Sequence, residues 1–148
     1  MLILGSLPGA VSLAAKRYYA NPRNHFWTLV GGLIKREDLP LLDYEDRLEA
    51  LSAARIGLWD TIASAERSGS LDAAIRAHEP AAIAGLISTL PELRAVAFNG
   101  AKAAAIGRKA LTETDLPLID LPSSSPAFAA MPLEEKRARW LALKEFIA

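Results

Sequence analysis

At 148 residues the chain is one domain's worth of sequence, long enough to bury a real core. It is 51% hydrophobic and 23% charged, which excludes intrinsic disorder, and it has no cysteine, which excludes disulfides, thiolate zinc sites and an iron–sulfur cluster. Lys plus Arg equals Asp plus Glu at 17 each, so a nucleic-acid partner has to be held by a local patch and oriented backbone amides rather than by bulk charge.

Met1–Leu4 reads as a buried strand, and the chain opens on it abruptly, which leaves a further N-terminal segment open. No apolar run approaches the roughly 20 residues needed to span a bilayer, so the expectation is a protein without a membrane segment. Residues 5–23 form a long loop with Pro8-Gly9, a tyrosine pair and Pro22. His25–Ile34 predicts a helix with Phe26, Trp27, Leu29, Val30 and Leu33 on one broad face. Leu39–Leu42 is a connector and Tyr44–Ala54 a helix. Ile56–Ile62 predicts a second strand running into a polar loop, Ala65–Ser70, with Ser70 capping a short helix, Leu71–Ala77. Pro80 is read as a helix start before Ala81–Leu90. Leu93–Phe98 is the third strand, Ala101–Leu111 a helix and Leu116–Leu121 the fourth strand. A last helix runs from Pro132 to Ile147, with Leu133, Trp140, Leu141, the Lys144 stem and Ile147 on its apolar face.

Strands alternating with helices predict an α/β fold: a three-layer α/β/α sandwich around a four-stranded, mostly parallel sheet, as a single domain over residues 1–148. In such a sheet ligands bind beyond the carboxyl ends of the strands. Each strand here leads into an unusual turn: Gly5-Ser-Leu-Pro-Gly9, Trp59-Asp60-Thr61, Asn99-Gly100 and Leu121-Pro-Ser-Ser-Ser-Pro126. These should converge on one rim.

Gly5 and Gly9 let backbone approach a ligand, Pro8 stiffens the turn between them, and the amides there could cradle a phosphate or line a base pocket. Glycine-proline turns are common, and most are only turns.

The segment GSLPGAVSLAAKRYYANPRNHFW, residues 5–27, resembles the first motif of the mismatch-specific and deoxyinosine branches of the uracil-DNA glycosylase superfamily, on Gly5, Pro8, Gly9, Ser12, Tyr19, Pro22, Asn24, Phe26 and Trp27. Leu121-Pro-Ser-Ser-Ser-Pro-Ala127 resembles the superfamily's second motif in its deoxyinosine form, and Gly57-Leu-Trp-Asp60 and Phe98-Asn-Gly100 look like that branch too. Mismatch-type uracil glycosylases carry a water-orienting Asn in the first loop. Leu7 stands there instead, and the resemblance to the deoxyinosine branch then points to Asn24. Lys16-Arg17 depart from the Gly-Gln that relatives often carry.

The resemblance implies a monofunctional DNA glycosylase that flips out a deaminated base, most simply hypoxanthine, and cleaves its N-glycosidic bond with a positioned water. It implies a monomer in the cytoplasm, associated with the nucleoid, whose partner is DNA containing a deaminated base, with no cofactor and no metal. Asn24 orients the water; its structural alternative is a cap for the helix at His25. The base pocket is expected from Gly5, Ser6, Leu7, Tyr19, Asp60 and Asn99. Tyr19 stacks on the base, Tyr18 packs on the core, and Asp60 accepts from N1–H of the base or donates to it when protonated. Asp60 could equally be a loop cap or a salt-bridge partner, and Asn99-Gly100 is a turn signature first. The DNA surface is expected from Pro8, Gly9, Ser123, Ser124, Ser125 and Pro126, with Phe128 as a wedge in the base stack.

Lys16, Arg17, Arg23 and Lys102 are candidate phosphate contacts. His25 reads as structural, His78 as a solvated loop residue, and the run Lys136–Arg139 as a solvated helix face. The competing readings are a uracil or xanthine glycosylase, a catalytically silent nucleic-acid-binding module, and a flavodoxin-type phosphate binder built on residues 5–9.

Overall fold

The computed structural model describes residues 1–6, 12, 17–66, 77–80 and 83–147. In chain order the elements are β1 (Leu2–Gly5), α1 (Phe26–Leu33), a 3-10 turn at Leu39–Leu41, α2 (Tyr44–Ala53), β2 (Gly57–Asp60), β3 (Ile62–Glu66), β4 (Ala77–Pro80), α3 (Ile83–Ser88), β5 (Val96–Asn99), α4 (Ala101–Ala110), β6 (Leu118–Leu121), α5 (Leu133–Trp140) and a closing 3-10 stretch, Leu141–Phe146. Among these, no helix is long and apolar enough to cross a membrane.

The apolar run of β1 is buried on both faces because it lies inside the sheet, whose order is β2-β1-β5-β6 with every pairing parallel. Side chains alternate across each strand, which separates two cores. Ile3 and Ala97 join Phe26, Trp27, Val30, Leu33, Trp140 and Leu143 on one face; Leu2, Leu4, Val96 and Phe98 join Ile83, Ala103 and Leu111 on the other. Helices α1, α2 and α5 therefore cover one side and α3 and α4 the other, the three-layer arrangement expected. The α4 layer sits close: a Cβ on Gly107 would clash with the edge of the Phe98 ring.

The stretch after Asp60 differs from expectation. The second strand does not run on to Ile62: the Thr61 N–H turns to the Gly5 carbonyl at 2.7 Å, and the chain leaves the main sheet there. Residues 62–66 become β3 and pair antiparallel with β4, in a register that shifts between Ile62 and Ser64. Ala77 is thus in a strand rather than ending a helix, His78 lies in that strand rather than in a loop, and Pro80 pairs opposite Ile62 instead of starting α3. Proline is tolerated there because it closes a short strand beside an irregularity. The rest of the predicted loop and helix, residues 67–76, lies outside the described residues.

The last helix is also shorter than predicted. It tightens into a 3-10 stretch at Leu141, which leaves Leu141 exposed while Trp140 and Leu143 are buried.

Candidate active site

Because the four strands run parallel, their carboxyl ends share one edge. The register sets Gly5 beside Asp60 and Asn99 beside Leu121. A cleft of about 880 Å³ opens over that edge. Gly5, Ser6, Tyr18, Tyr19, Asn24, Asp60, Asn99, Ser123, Ser124, Ser125, Pro126 and Phe128 all line it, so the predicted convergence holds for those residues. Leu7, Pro8, Gly9 and Lys16 lie outside the described residues.

Tyr19 is held at three points. Its ring stacks on Phe26 with centroids 3.9 Å apart, its carbonyl accepts from Trp27 Nε1 at 3.1 Å, and its hydroxyl accepts from Asn99 Nδ2 at 3.2 Å. These contacts hold a backbone φ of 52°, in the left-handed region that a side chain rarely adopts. Phe26 fills one face of the ring, so only the other is available to a base. Burial pushes the Tyr19 phenol well above the usual tyrosine range. The hydroxyl is therefore a neutral group that accepts from Asn99 and keeps its own hydrogen to donate.

Asn99 joins the two motif loops. Its Nδ2 also donates to Ser124 Oγ at 2.9 Å, and its Oδ1 accepts from the Ser124 N–H at 2.9 Å. With both amide hydrogens used, its first role is to tie the end of β5 to Tyr19 on one side and to Ser124 on the other. Gly100 follows with φ 104°, where a Cβ would come within 3.2 Å of the Ser123 Cβ, so glycine is required at this turn into α4.

Asn24 faces the cleft from one residue before the cap position of α1, which His25 holds without a side-chain cap bond. Its Oδ1 accepts from the Phe26 N–H at 2.9 Å, a local turn bond leading into α1. Among the described residues the second lone pair of that oxygen and both Nδ2 hydrogens are left for other partners, so this turn bond and water contact are compatible in one amide.

Asp60 is half-buried at the end of β2, and burial pushes its carboxyl up to about 6. Tyr18 lines the same cleft and not the core alone, as had been expected; its N–H donates to the Tyr44 hydroxyl at 3.0 Å. Burial, then the charges of Asp60 and Tyr44, raise its phenol to about 12.

The loop after β6 is built from serines bonded to backbone. Ser123 Oγ accepts from the Ser125 N–H and Ser125 Oγ from the Ala127 N–H, both at 3.1 Å, and both hydroxyls keep a hydrogen to donate into the cleft. Ser124 does not share that outlook: it is 1% exposed and turned inward to Asn99. The loop is fastened from behind by His25, whose N–H donates to the Ser124 carbonyl at 3.0 Å, and by Trp140, whose Nε1 donates to the Pro122 carbonyl at 3.0 Å.

In the run Lys136–Arg139, Ala138 and Arg139 are exposed as a solvated face would be, but Lys136 is not. Lys136 is 1% exposed, with Nζ 3.4 Å from the Ser125 carbonyl and 5.3 Å from the Phe128 ring centroid. Burial lowers its pKa, and burial followed by the Lys136 charge lowers that of His25. Sequence carried a signal for this: Lys136, Trp140 and Leu143 follow the i, i+4, i+7 stripe, and all three are buried. Arg139 lines the cleft and pairs with Glu135 at 3.5 Å. Of the remaining candidate phosphate contacts, Lys102 lines the cleft, while Arg17 and Arg23 are exposed and Arg17 lies over the Tyr44 ring.

This geometry can be set beside known proteins. A profile of the family described as "Uracil DNA glycosylase superfamily" matches residues 1–146. A Methanosarcina barkeri protein named hypoxanthine DNA glycosylase is 45% identical over 102 residues, 69% of this chain and 64% of that protein. A Methanosarcina acetivorans protein of the same name is 46% identical over 103 residues, 70% of this chain and 65% of its own length. The chain therefore spans just under two thirds of these relatives. The solution NMR structure of a Methanosarcina acetivorans protein provisionally assigned as a uracil DNA glycosylase superposes with a TM-score of 0.85 at 38% identity, covering 98% of this chain and 89% of that one.

Proposed function

The chain belongs to the uracil DNA glycosylase superfamily, and from that membership we propose that it excises hypoxanthine from DNA by hydrolysing the N-glycosidic bond of deoxyinosine. The observation that carries the proposal is the cleft itself: Asn24 and Tyr19, from the loop before α1, and Asp60, from the end of β2, face one space at the sheet's carboxyl edge. Its volume lies in the range of roughly 300–1,000 Å³ usual for small-molecule sites, ample for a purine.

The target nucleotide must leave the duplex, at a cost that a mispaired base reduces. Inside the cleft the free face of Tyr19 stacks on the base. Asp60 reads its edge, accepting from N1–H as a carboxylate or donating to O6 as an acid, since a carboxyl titrating near 6 has both forms within reach of neutral pH. As the bond breaks, positive charge grows on the sugar and negative charge on the base. Asn24 orients the water that attacks the sugar. The Ser123 and Ser125 hydroxyls, Lys102 and the amino end of α4 receive the flanking phosphates. No step requires a covalent nucleophile, so the product is an abasic site in an unbroken strand.

The names of the Methanosarcina relatives favour hypoxanthine, and the provisional assignment of the structural neighbour keeps uracil as the second reading. A panel of duplexes carrying inosine, uracil or xanthine tests the choice. Base release from inosine, with strand breaks only after alkali, is expected. Asn24→Ser can keep the contact to the Phe26 N–H but not the amide, and is expected to fold as wild type while losing on the order of a hundredfold in rate. Release from uracil alone, breaks before alkali, or full activity in Asn24→Ser would overturn the corresponding part.

A further inference from the structure

Among the described residues, Lys136 is a buried cation without an anion. Its residue is 1% exposed, and no salt bridge among the described residues includes it. Removing an ammonium from water is unfavourable, and a lone contact to a carbonyl offsets little of that cost. A methionine of similar length would fill the space more cheaply. The charge is therefore retained for something other than stability, and its two contacts indicate what.

The first contact is the Ser125 carbonyl, at 3.4 Å. The same oxygen accepts from the Phe128 N–H at 3.1 Å, so Lys136 braces the hydrogen bond that closes the turn from Ser125 to Phe128. The second contact is the face of the Phe128 ring, 5.3 Å from Nζ, within the range of a cation–π interaction. Phe128 is half-buried on the cleft wall, at the end of a turn whose Pro126 and Ala127 are exposed. A phenyl ring meant to enter a base stack must be presented in one orientation before DNA arrives, since ordering it on binding would weaken the complex. The carbonyl contact fixes the turn and the ring contact fixes the side chain.

We propose that Lys136 is a positioning residue that presents Phe128 as the wedge filling the gap left by the flipped nucleotide. This rests on the glycosylase reading above. A wedge is needed only where there is a stack to open, so the consequence is specific. Lys136→Met should lose activity on duplex and keep it on a single strand of the same sequence.

The test compares wild type, Lys136→Met, Lys136→Arg and Phe128→Ala on inosine in duplex and in single-stranded DNA. Amide hydrogen exchange and thermal unfolding are measured on the free proteins. Lys136→Met is expected to unfold no lower than wild type, to exchange the Phe128 amide faster, and to drop on the order of tenfold in its duplex-to-single-strand rate ratio. Phe128→Ala should show the same drop in ratio. Lys136→Arg, which can still donate to the carbonyl and lie on the ring, should restore it. Unchanged exchange at Phe128, an unchanged ratio in Lys136→Met, or equal losses on both substrates overturn the proposal. Wild type inactive on both substrates refutes the glycosylase reading and the wedge with it, and that failure is visible before any variant is made.

Discussion

Replacing Asn99 by alanine separates a site that is pinned together from one that merely lies together. The substitution removes two donated bonds, to the Tyr19 hydroxyl and to Ser124 Oγ, and one accepted bond, from the Ser124 N–H. Tyr19 and Ser124 can turn their hydroxyls elsewhere, so those two losses are worth about 0.5–1.5 kcal/mol each. The Ser124 amide cannot turn away. Ser124 is 1% exposed, and its orphaned N–H costs a further ~1–3 kcal/mol. Together the expected destabilisation is about 4 kcal/mol, equivalent to roughly 8–16 °C in Tm for a domain of this size. Urea unfolding measures it, with an unchanged m-value as the check that only the folded state has altered. Ser124→Ala in the Asn99→Ala background should then cost little, giving a coupling of about 1 kcal/mol in the double-mutant cycle. A loss below about 1 kcal/mol, or two strictly additive substitutions, would refute the claim that Asn99 binds the two loops into one site.

Asp60→Asn tests the burial of the carboxyl through pH. Burial raises its pKa from 3.8 to about 6 in the folded protein, so the folded state holds the proton more tightly. Stability is lost as pH rises from about 4 to about 6, and the cost is fully present above that. Full linkage is worth about 3 kcal/mol, and contact with solvent discounts it to roughly 1–2. Asp60→Asn should exceed wild type in stability by that amount at pH 7 and match it below pH 4; parallel curves across urea titrations from pH 4 to 7.5 count against burial. Gly107→Ala should destabilise by about 2 kcal/mol or more despite alanine's better helix propensity, because the new methyl group meets the buried Phe98 ring. A neutral or stabilised variant in urea unfolding would show that α4 has room to shift.

Much of the fold was legible in local pattern. LILG in β1 and VAFN in β5 are short apolar runs too brief for helices, and the spacing of Phe26, Val30 and Leu33 has one helical face. Residues 62–66 and 77–80 were not legible, because what makes them strands is each other, across a gap in sequence that no local period bridges. Proline at residue 80 looked like a helix start because its fixed φ suits both positions.

The site divides the same way. Gly5, Asp60, Asn99 and Leu121 could be placed on one rim from sequence, since parallel strands joined by helices must end on the same side. Which way each side chain turns there was set only by packing. Ser123, Ser124 and Ser125 are chemically alike and adjacent, yet the middle one faces inward to Asn99, because alternate residues of an extended loop point apart and only one can meet that amide. Lys136 lies in a charged run that reads as a solvated surface. Its spacing with Trp140 and Leu143 places it on the buried stripe, but its contacts to the Ser125 carbonyl and the Phe128 ring exist only because α5 packs along the loop after β6, a neighbour that local sequence does not specify.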